Sequence, residues 1–502
     1  MAAMATTRGL TACAAILLAA PLLLWPAVFN GYPLVFSDTG TYLSQAVHHY
    51  LGWDRPVFYS LFLLPLHLTL TTWPVIVAQA LLTTATLHLL RRSLLPSVSA
   101  WWLVPLTGML VIISALPWLV SLIMPDLLTG LLVLSLGLLA FAAPSLSRGE
   151  TIWLTGFTAF MIAAHQSHLM LALFLLPVML PFQRWLRPTT EPTLAKPDGR
   201  LARVRRSFAA TYFCIETLVA PVVVAPALAC VALVAVNLIG YHRASVAPFS
   251  NIFSLARVIY DGPGMRTLKR DCPQTHWRLC DYINQFPANA DLFLWQTDGP
   301  MAHAGGAKLV SVEANAIMLA TLRTEPLAEL QAVLDNTTRQ LGRFATGDEL
   351  DPWPDSVTPW IVQDFPRFEV DTYLTARQTN NMLRVPAWLI ALHRATALVG
   401  VGVCGALLPF TLRHRPRVGA FLALVLLAVP INALITGGLS GPHDRYQTRV
   451  MWLPPLLAAL AIPALAIPAS MLSALMPPNA ARVPAPITIL LRRLRARRAT
   501  AR

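Results

Sequence analysis

Long apolar runs separated by short charged stretches set the pattern of this chain. Ten runs read as membrane-spanning helices, near residues 11–30, 74–90, 100–117, 127–143, 151–166, 168–183, 214–238, 388–410, 418–436 and 450–470. Prolines interrupt several of them, which a membrane helix tolerates when its neighbours satisfy the freed carbonyls. The pattern predicts an all-α membrane protein with about ten transmembrane helices. Residues 1–240 form an N-terminal transmembrane module of about seven spans. Residues 241–386 form a mainly helical extracytoplasmic insert, 387–475 the last three or so spans, and 476–502 a basic cytoplasmic tail. Arg8 followed by an apolar run to Phe29, with no clear small-residue cleavage site, reads as a signal anchor.

Two stretches depart from the simple span pattern. Residues 56–72 are apolar and helix-length, but a full crossing there would place Arg91 and Arg92 on the wrong side. They are expected to form a re-entrant or interfacial helix broken near Pro65. Just before, Tyr42, Leu43, Ala46, Val47, Tyr50 and Leu51 recur at helical spacing opposite Thr41, Ser44, Gln45, His48 and His49. That periodicity predicts an amphipathic helix in the headgroup plane. The first outer loop, near 38–72, therefore reads as two juxtamembrane helices. In the insert, 306–322 and 325–343 read as helices, and the Asp-, Pro- and Trp-rich stretch 347–371 as irregular.

Composition agrees with a bilayer. The chain is 56% hydrophobic and 12% charged, with mean hydropathy +0.58, against about 25% charged residues in a soluble domain. The net charge of +14 is no sign of nucleic-acid binding once mapped. It sits in short loops (Arg91-Arg92, Arg200 to Arg206, Arg413 to Arg417) and in the tail from Arg492 to Arg498. With both termini inside, the inner side holds 21 Lys/Arg and three acids, and the outer side 17 against 20. That bias sets the orientation and favours contact with anionic lipid. Ala, Leu, Arg and Pro usage suggests a bacterial inner membrane. Cys13, Cys214, Cys230 and Cys404 lie in apolar runs and read as small core residues. Cys272 and Cys280, with seven residues between them, read either as a disulfide in an oxidising outer compartment or as two reduced thiols.

Polar candidates gather at the outer surface. Asp38 follows the first span and is placed either to deprotonate an incoming hydroxyl or amine or to cap a helix. Asp126, at the outer start of another span, reads as functional or as a dipole-stabilised helix start. Arg445 and Arg449 would share a helix face, a fork able to grip phosphate, with an Asp444–Arg445 pair as the alternative. His443 and Tyr446 lie in the same loop. His165 and His168 mark an outer turn and read as polar cavity lining, with metal binding a minor reading. Arg55 is a partner for Asp54 or a substrate contact. Glu216, inside a span, reads as structural. Asp348, Glu349, Asp351 and Asp355 read as a solvated loop. No metal or other cofactor is signalled.

Several of these stretches resemble a known family. Phe36-Ser37-Asp38-Thr39-Gly40-Thr41-Tyr42, Arg55-Pro56-Val57-Phe58-Tyr59, Leu89-Leu90-Arg91-Arg92, Met124-Pro125-Asp126 and Asp444-Arg445-Tyr446 are similar to motifs of the GT-C superfamily of integral membrane glycosyltransferases. That superfamily includes the protein O-mannosyltransferases and the aminoarabinose transferases of lipid A. The resemblance covers roughly 10–180 and 385–470. It departs in having a single Asp where mannosyltransferases have an Asp-Glu pair, and in placing the main insert between spans seven and eight.

The resemblance implies an inverting transfer of a sugar from a polyprenyl-phosphate donor to an unidentified protein, lipid or polysaccharide acceptor at the periplasmic face. Asp38 would be the base and Asp126 would assist at the sugar or acceptor. Arg445 and Arg449 would hold the leaving phosphate. The rival expectations are a secondary transporter, which would place charge near the bilayer midplane, and a non-catalytic cell-envelope assembly protein.

Overall fold

The computed structural model describes residues 2–186 and 220–466, with side chains from Gly9 onward. Cys214, Glu216, the 200–206 run and the 476–502 tail lie outside the described residues. Among the described residues, seven helical stretches are long and apolar enough to cross a membrane: Gly9–Asn30, Trp73–Leu94, Gln166–Leu186, Pro221–Tyr241, Ala387–His414, Pro416–Gly438 and Asp444–Ala466. The chain is an α-helical membrane protein. Three more apolar helices, Val57–His67, Ala100–Ile113 and Asp126–Phe141, are shorter. At 1.5 Å per residue a 16-residue helix reaches about 24 Å, less than the ~30 Å hydrocarbon core.

In chain order, α1 (Ala2–Ala19) runs on through a 3-10 turn to Asn30, where Gly31 closes the helix with positive φ. Then come α2 (Thr39–Val47), α3 (Val57–His67), α4 (Trp73–Leu94), α5 (Leu103–Ile113), α6 (Asp126–Phe141), α7 (Arg148–Ala164), α8 (Gln166–Leu186) and α9 (Pro221–Tyr241). The insert supplies α10 (Asn251–Tyr260), α11 (Pro263–Thr275), α12 (Ala290–Trp295), α13 (Gly306–Thr324), α14 (Pro326–Gly342), α15 (Thr358–Asp364) and α16 (Arg367–Thr375). The chain ends in α17 (Ala387–His414), α18 (Pro416–Ala433, prolonged as a π-helix over Leu434–Gly438), α19 (Asp444–Met451) and α20 (Leu453–Ala466).

Every residue of α6 is buried, so this helix is the hub of the bundle. Its approach to the last helices depends on Gly130, where an added Cβ would lie 2.6 Å from Cζ2 of Trp452. Trp452 is three residues beyond Arg449. The absent side chain therefore lets the helix that starts at Asp126 and the one carrying Arg449 meet at close range.

The two helices expected in the first loop form, with differences in detail. α3 is only 11 residues long, and it runs past Pro65 to His67 before Leu68 and Thr69 turn at positive φ. Pro65 removes the one rung to the Leu61 carbonyl, a loss that membrane helices tolerate. α2 keeps its polar side only partly open. Ser44 and Gln45 are buried, because Gln45 donates to Ser60 Oγ at 2.7 Å and accepts from Gly52 N at 3.1 Å. Ser44 and Gln45 thus pack on the loop's own second helix, while His48 and His49 at the end of α2 stay exposed.

The insert's two halves pack differently. Residues Ile252, Leu255, Leu268, Phe293, Val310 and Ile317 form a core of their own, beside which Cys272 and Cys280 are disulfide-bonded. Val357, Ile361, Phe365, Tyr373 and Leu383 join the core of the helical bundle instead. The stretch 347–371, expected as irregular, contains α15 and the start of α16. The expected helices of the preceding stretch are α13 and α14. Of the cysteines in apolar runs, Cys404 is buried and Cys13 is exposed. In a chain set in lipid, an exposed thiol on a spanning helix faces acyl chains.

Candidate functional site

Two loops build the floor of the site. Leu34 N donates to Ser121 O and Ile123 N to Leu34 O, both at 2.9 Å. This short parallel bridge aligns the segment before Asp38 with the segment before Asp126. Thr39 fixes the turn, accepting from Phe36 N at 2.9 Å and donating through its hydroxyl to Ile123 O at 3.0 Å. The insert closes the same wall. Gln378 accepts from Val35 N at 3.1 Å and donates to Val35 O at 2.7 Å, while its backbone N–H donates to Asn30 Oδ1 at 2.7 Å. Glu369 accepts through one oxygen from Tyr32 Oη, Thr72 N and Thr72 Oγ1.

Asp38 occupies the N-cap position of α2 but makes no side-chain cap bond. Its Oδ1 instead pairs with Arg55 Nη2 at 2.7 Å. Arg55 also donates to the backbone oxygen of Asp54 at 2.9 Å, and it lies 5.8 and 5.6 Å from the Phe253 and Trp295 ring centres. Its bond to Asp54 is thus to the main chain, and its carboxylate partner is Asp38. Burial raises the Asp54 carboxyl, against the opposing pull of Arg55. A small open groove reaches Arg55, with Trp53, Phe58, Leu233, Val236 and Tyr241 among its walls.

Asp126 begins α6 without exposure and pairs with Arg449 Nε, a contact buried on both sides. Arg445 Nη1 stands 3.5 Å from its second oxygen, at ion-pair distance but without hydrogen-bond geometry. Arg445 continues to Glu349 at 3.8 Å, and its guanidinium lies 3.7 Å over the Phe36 ring. Asp38, Asp126 and Glu349 all act on Arg445 electrostatically. The two candidate acids and both arginines therefore meet at one end of the bundle. Among the described residues, both terminal nitrogens of Arg449, Nε and Nη1 of Arg445, Nε of Arg55 and the Tyr42 hydroxyl are buried without a hydrogen-bond partner. Unmet buried donors at this density are costly in an idle structural site.

His443 and Tyr446 flank the arginines. His443 shares a hydrogen bond with Glu349 at 3.2 Å, and the Tyr446 ring lies 4.7 Å from the Arg449 guanidinium. Asp444 does not take Arg445 as partner. It accepts from Ala345 N at 2.6 Å and pairs with Arg394 at 3.2 Å. The two histidines of the 165–168 turn divide. His165 faces the site, within electrostatic reach of Arg55, Arg445 and Arg449. His168 is fully buried between Thr129 (2.7 Å) and the Met161 carbonyl (2.6 Å), so both ring nitrogens are engaged away from the site. Among the described residues no group of three His, Cys, Asp or Glu could hold a metal ion.

Sequence reasoning missed three members. Asp348 and Glu349 are expected in solvent, yet Asp348 accepts from Arg445 N at 3.1 Å and Glu349 reaches Arg445 and His443. Burial raises the Asp348 carboxyl. Burial also pushes Glu349 upward, but the His443 bond and the Arg445 charge outweigh it and hold that carboxyl below its ordinary value. Helical spacing puts Tyr42 on an apolar face, yet its hydroxyl lies among Arg55, Asp38, Asp126 and Asp54, with burial raising it well above its ordinary range. Its position within the Asp38 motif was the only available hint.

Compared with known protein families, curated proteins and solved structures, the chain finds no match.

Proposed function

We propose that this chain is an inverting glycosyltransferase that uses a sugar carried on a polyprenyl phosphate. In this reading it has ten crossings, with the shorter helices α5, α6 and α7 completing the seven longer ones. Both termini face the cytoplasm and the site opens to the periplasm of a bacterial inner membrane, as the Lys/Arg bias indicates. Asp38 takes the proton from the acceptor nucleophile, whose lone pair forms the new bond to the anomeric carbon. The bond from that carbon to the phosphate oxygen breaks, and the phosphate leaves with the electron pair. Arg445 and Arg449 stabilise the charge that grows on it. Arg55 orients Asp38, and the groove beside Arg55 is the approach for a lipid-borne substrate. The observation that carries this reading is the set of buried, unpartnered guanidinium nitrogens beside Asp126, on the same wall as Asp38.

The test uses the purified full chain in detergent. Polyprenyl phosphate, the expected product, should raise the melting temperature of the wild type and of Asp38→Asn, and much less that of Arg449→Gln. Polyprenol, which lacks the phosphate, should have little effect. An equal shift from both lipids would sink the phosphate assignment. Release of polyprenyl phosphate from a polyprenyl-phosphate hexose in native membranes should vanish in Asp38→Asn.

A second reading, a secondary transporter, is favoured by one feature. The Asp126–Arg449 pair is fully buried at the end of the hub helix, near a span that ends in a π-helical turn, and both features recur at transport sites. Under that reading Asp38→Asn would leave substrate flux intact, whereas Asp126→Asn would abolish it.

A further inference from the structure

Helix α14 is built inside out. Leu327, Leu330, Leu334 and Leu341 follow one another at intervals of three, four and seven residues, which places them on one face. They are exposed at 78%, 54%, 55% and 38%. On the opposite face Asn336 and Gln340 are buried, at 3% and 0%. A helix on the surface of a water-soluble domain shows the reverse order. Its polar face has specific partners. Asn336 donates to Asp261 at 2.8 Å, and Gln340 exchanges two hydrogen bonds with the backbone of His443, at 2.7 and 2.9 Å.

The location of this helix identifies what covers the leucines. α14 seats on Gly437 and Gly438, the last two residues of the candidate span Pro416–Gly438. A Cβ at Gly437 would lie 2.4 Å from Gln340 Cβ, and one at Gly438 would lie 2.6 Å from Thr337 Oγ1. Only glycine permits that approach. The helix is thereby pinned where a spanning segment leaves the hydrocarbon, with its leucines turned away from the protein.

We infer that the leucine face of α14 docks into the bilayer leaflet on the site's side, as an interfacial membrane helix, and so is not exposed to the aqueous compartment. The occupant is lipid: the face continues the surface of a span, Asn336 and Gln340 point into protein, and the exposed Asp335 and Arg339 lie on the flank that meets headgroups and water. The same helix grips the loop that presents Arg445 and Arg449, through Gln340 to His443 and through Arg343 to the Pro442 carbonyl at 2.7 Å. The bilayer surface thus becomes one support of that loop. This inference does not depend on the transferase reading.

Nitroxide labels on cysteines placed at Leu330 and Leu334 test it. The labels are read in the full chain reconstituted in phosphatidylethanolamine–phosphatidylglycerol liposomes, with the spectrum of the labelled parent subtracted. A third label at Arg339 reports the helix flank. Collisions with oxygen should exceed those with a water-soluble nickel chelate several-fold at 330 and 334, and the order should reverse at 339. Preferential nickel access at 330 and 334 would overturn the inference in favour of an aqueous face. Protection from both reagents would overturn it in favour of a covering protein, a second copy included. Two positions are used so that the loss of one variant to misfolding leaves the other to decide.

Discussion

Arg445 lies over Phe36, its guanidinium carbon 3.7 Å from the ring centre, although 409 positions separate the two residues in the chain. Phe36 is two residues before Asp38, so this stack is the physical link between the candidate base and the candidate phosphate grip. A cation over an aromatic face contributes on the order of 1–2 kcal/mol when desolvated, and Arg does this better than Lys because its charge is planar. Arg445→Lys should fold normally and weaken polyprenyl phosphate binding by roughly tenfold, equivalent to about 1.4 kcal/mol. Titration of the lipid against the melting temperature reads the change.

Asp126 is the counter-charge for two buried arginines. Asp126→Asn leaves Arg449 and Arg445 facing each other without it, and breaking one partner of a buried pair costs about 3–5 kcal/mol. The variant should unfold at markedly lower denaturant concentration in detergent. Asp126→Ala combined with Arg449→Met, which removes both charges, should recover most of the loss. Equal instability of the single and double variants would mean that packing at α6, not charge, is what matters.

The Tyr42 hydroxyl is buried with no hydrogen-bond partner among the described residues. An orphaned buried polar group costs about 1–3 kcal/mol, so Tyr42→Phe should stabilise the protein by about 1 kcal/mol. The same substitution should lower transfer, because the hydroxyl sits between Asp38 and Asp126 in the charge field of the site. A stabilised and fully active variant would remove Tyr42 from the site.

Burial raises the Asp54 carboxyl above its ordinary value of 3.8, and the Arg55 charge only partly counters this. The folded protein therefore holds this proton more tightly than the unfolded chain does. Asp54's favourable contribution is complete below about pH 3.8 and is lost as pH rises through the folded value. Asp54→Asn should accordingly raise the melting temperature at neutral pH, and the gain should shrink towards zero as the pH is lowered to that range.

The long apolar helices and the presence of two helices in the first loop were legible in the sequence because apolar run length and helical spacing carry that information locally. Asp38, Arg55, Asp126, Arg445 and Arg449 stood out for a related reason: charge beside a span is rare and needs a partner. The partners themselves were not legible. Asp38 looked equally like a cap, Arg55 like a mate for Asp54, and Asp444 like a mate for Arg445. Only the fold decides between neighbours in sequence and neighbours in space. Glu349 is hidden for the same cause, since an acid in a Pro- and Asp-rich stretch has the composition of a solvated loop whatever it later meets. The fate of α14 was hidden differently. Its mixture of leucines, Asn336 and Gln340 predicts a helix in either medium, and which side is inward depends on two glycines nearly a hundred residues further on.

The stitching of Gln378 to Val35 and Asn30 has a consequence for how the protein is made. The wall that carries Asp38 exchanges hydrogen bonds with a segment synthesised more than 340 residues later, and Asp126 waits 323 residues for Arg449. A nascent chain thus inserts its first helices with the Asp126 carboxylate unmatched, and the site closes only when the final loop arrives. Chains cut short just before Arg445 would hold most of the helices, with Asp38 paired and Asp126 bare, so the last span is what completes the site.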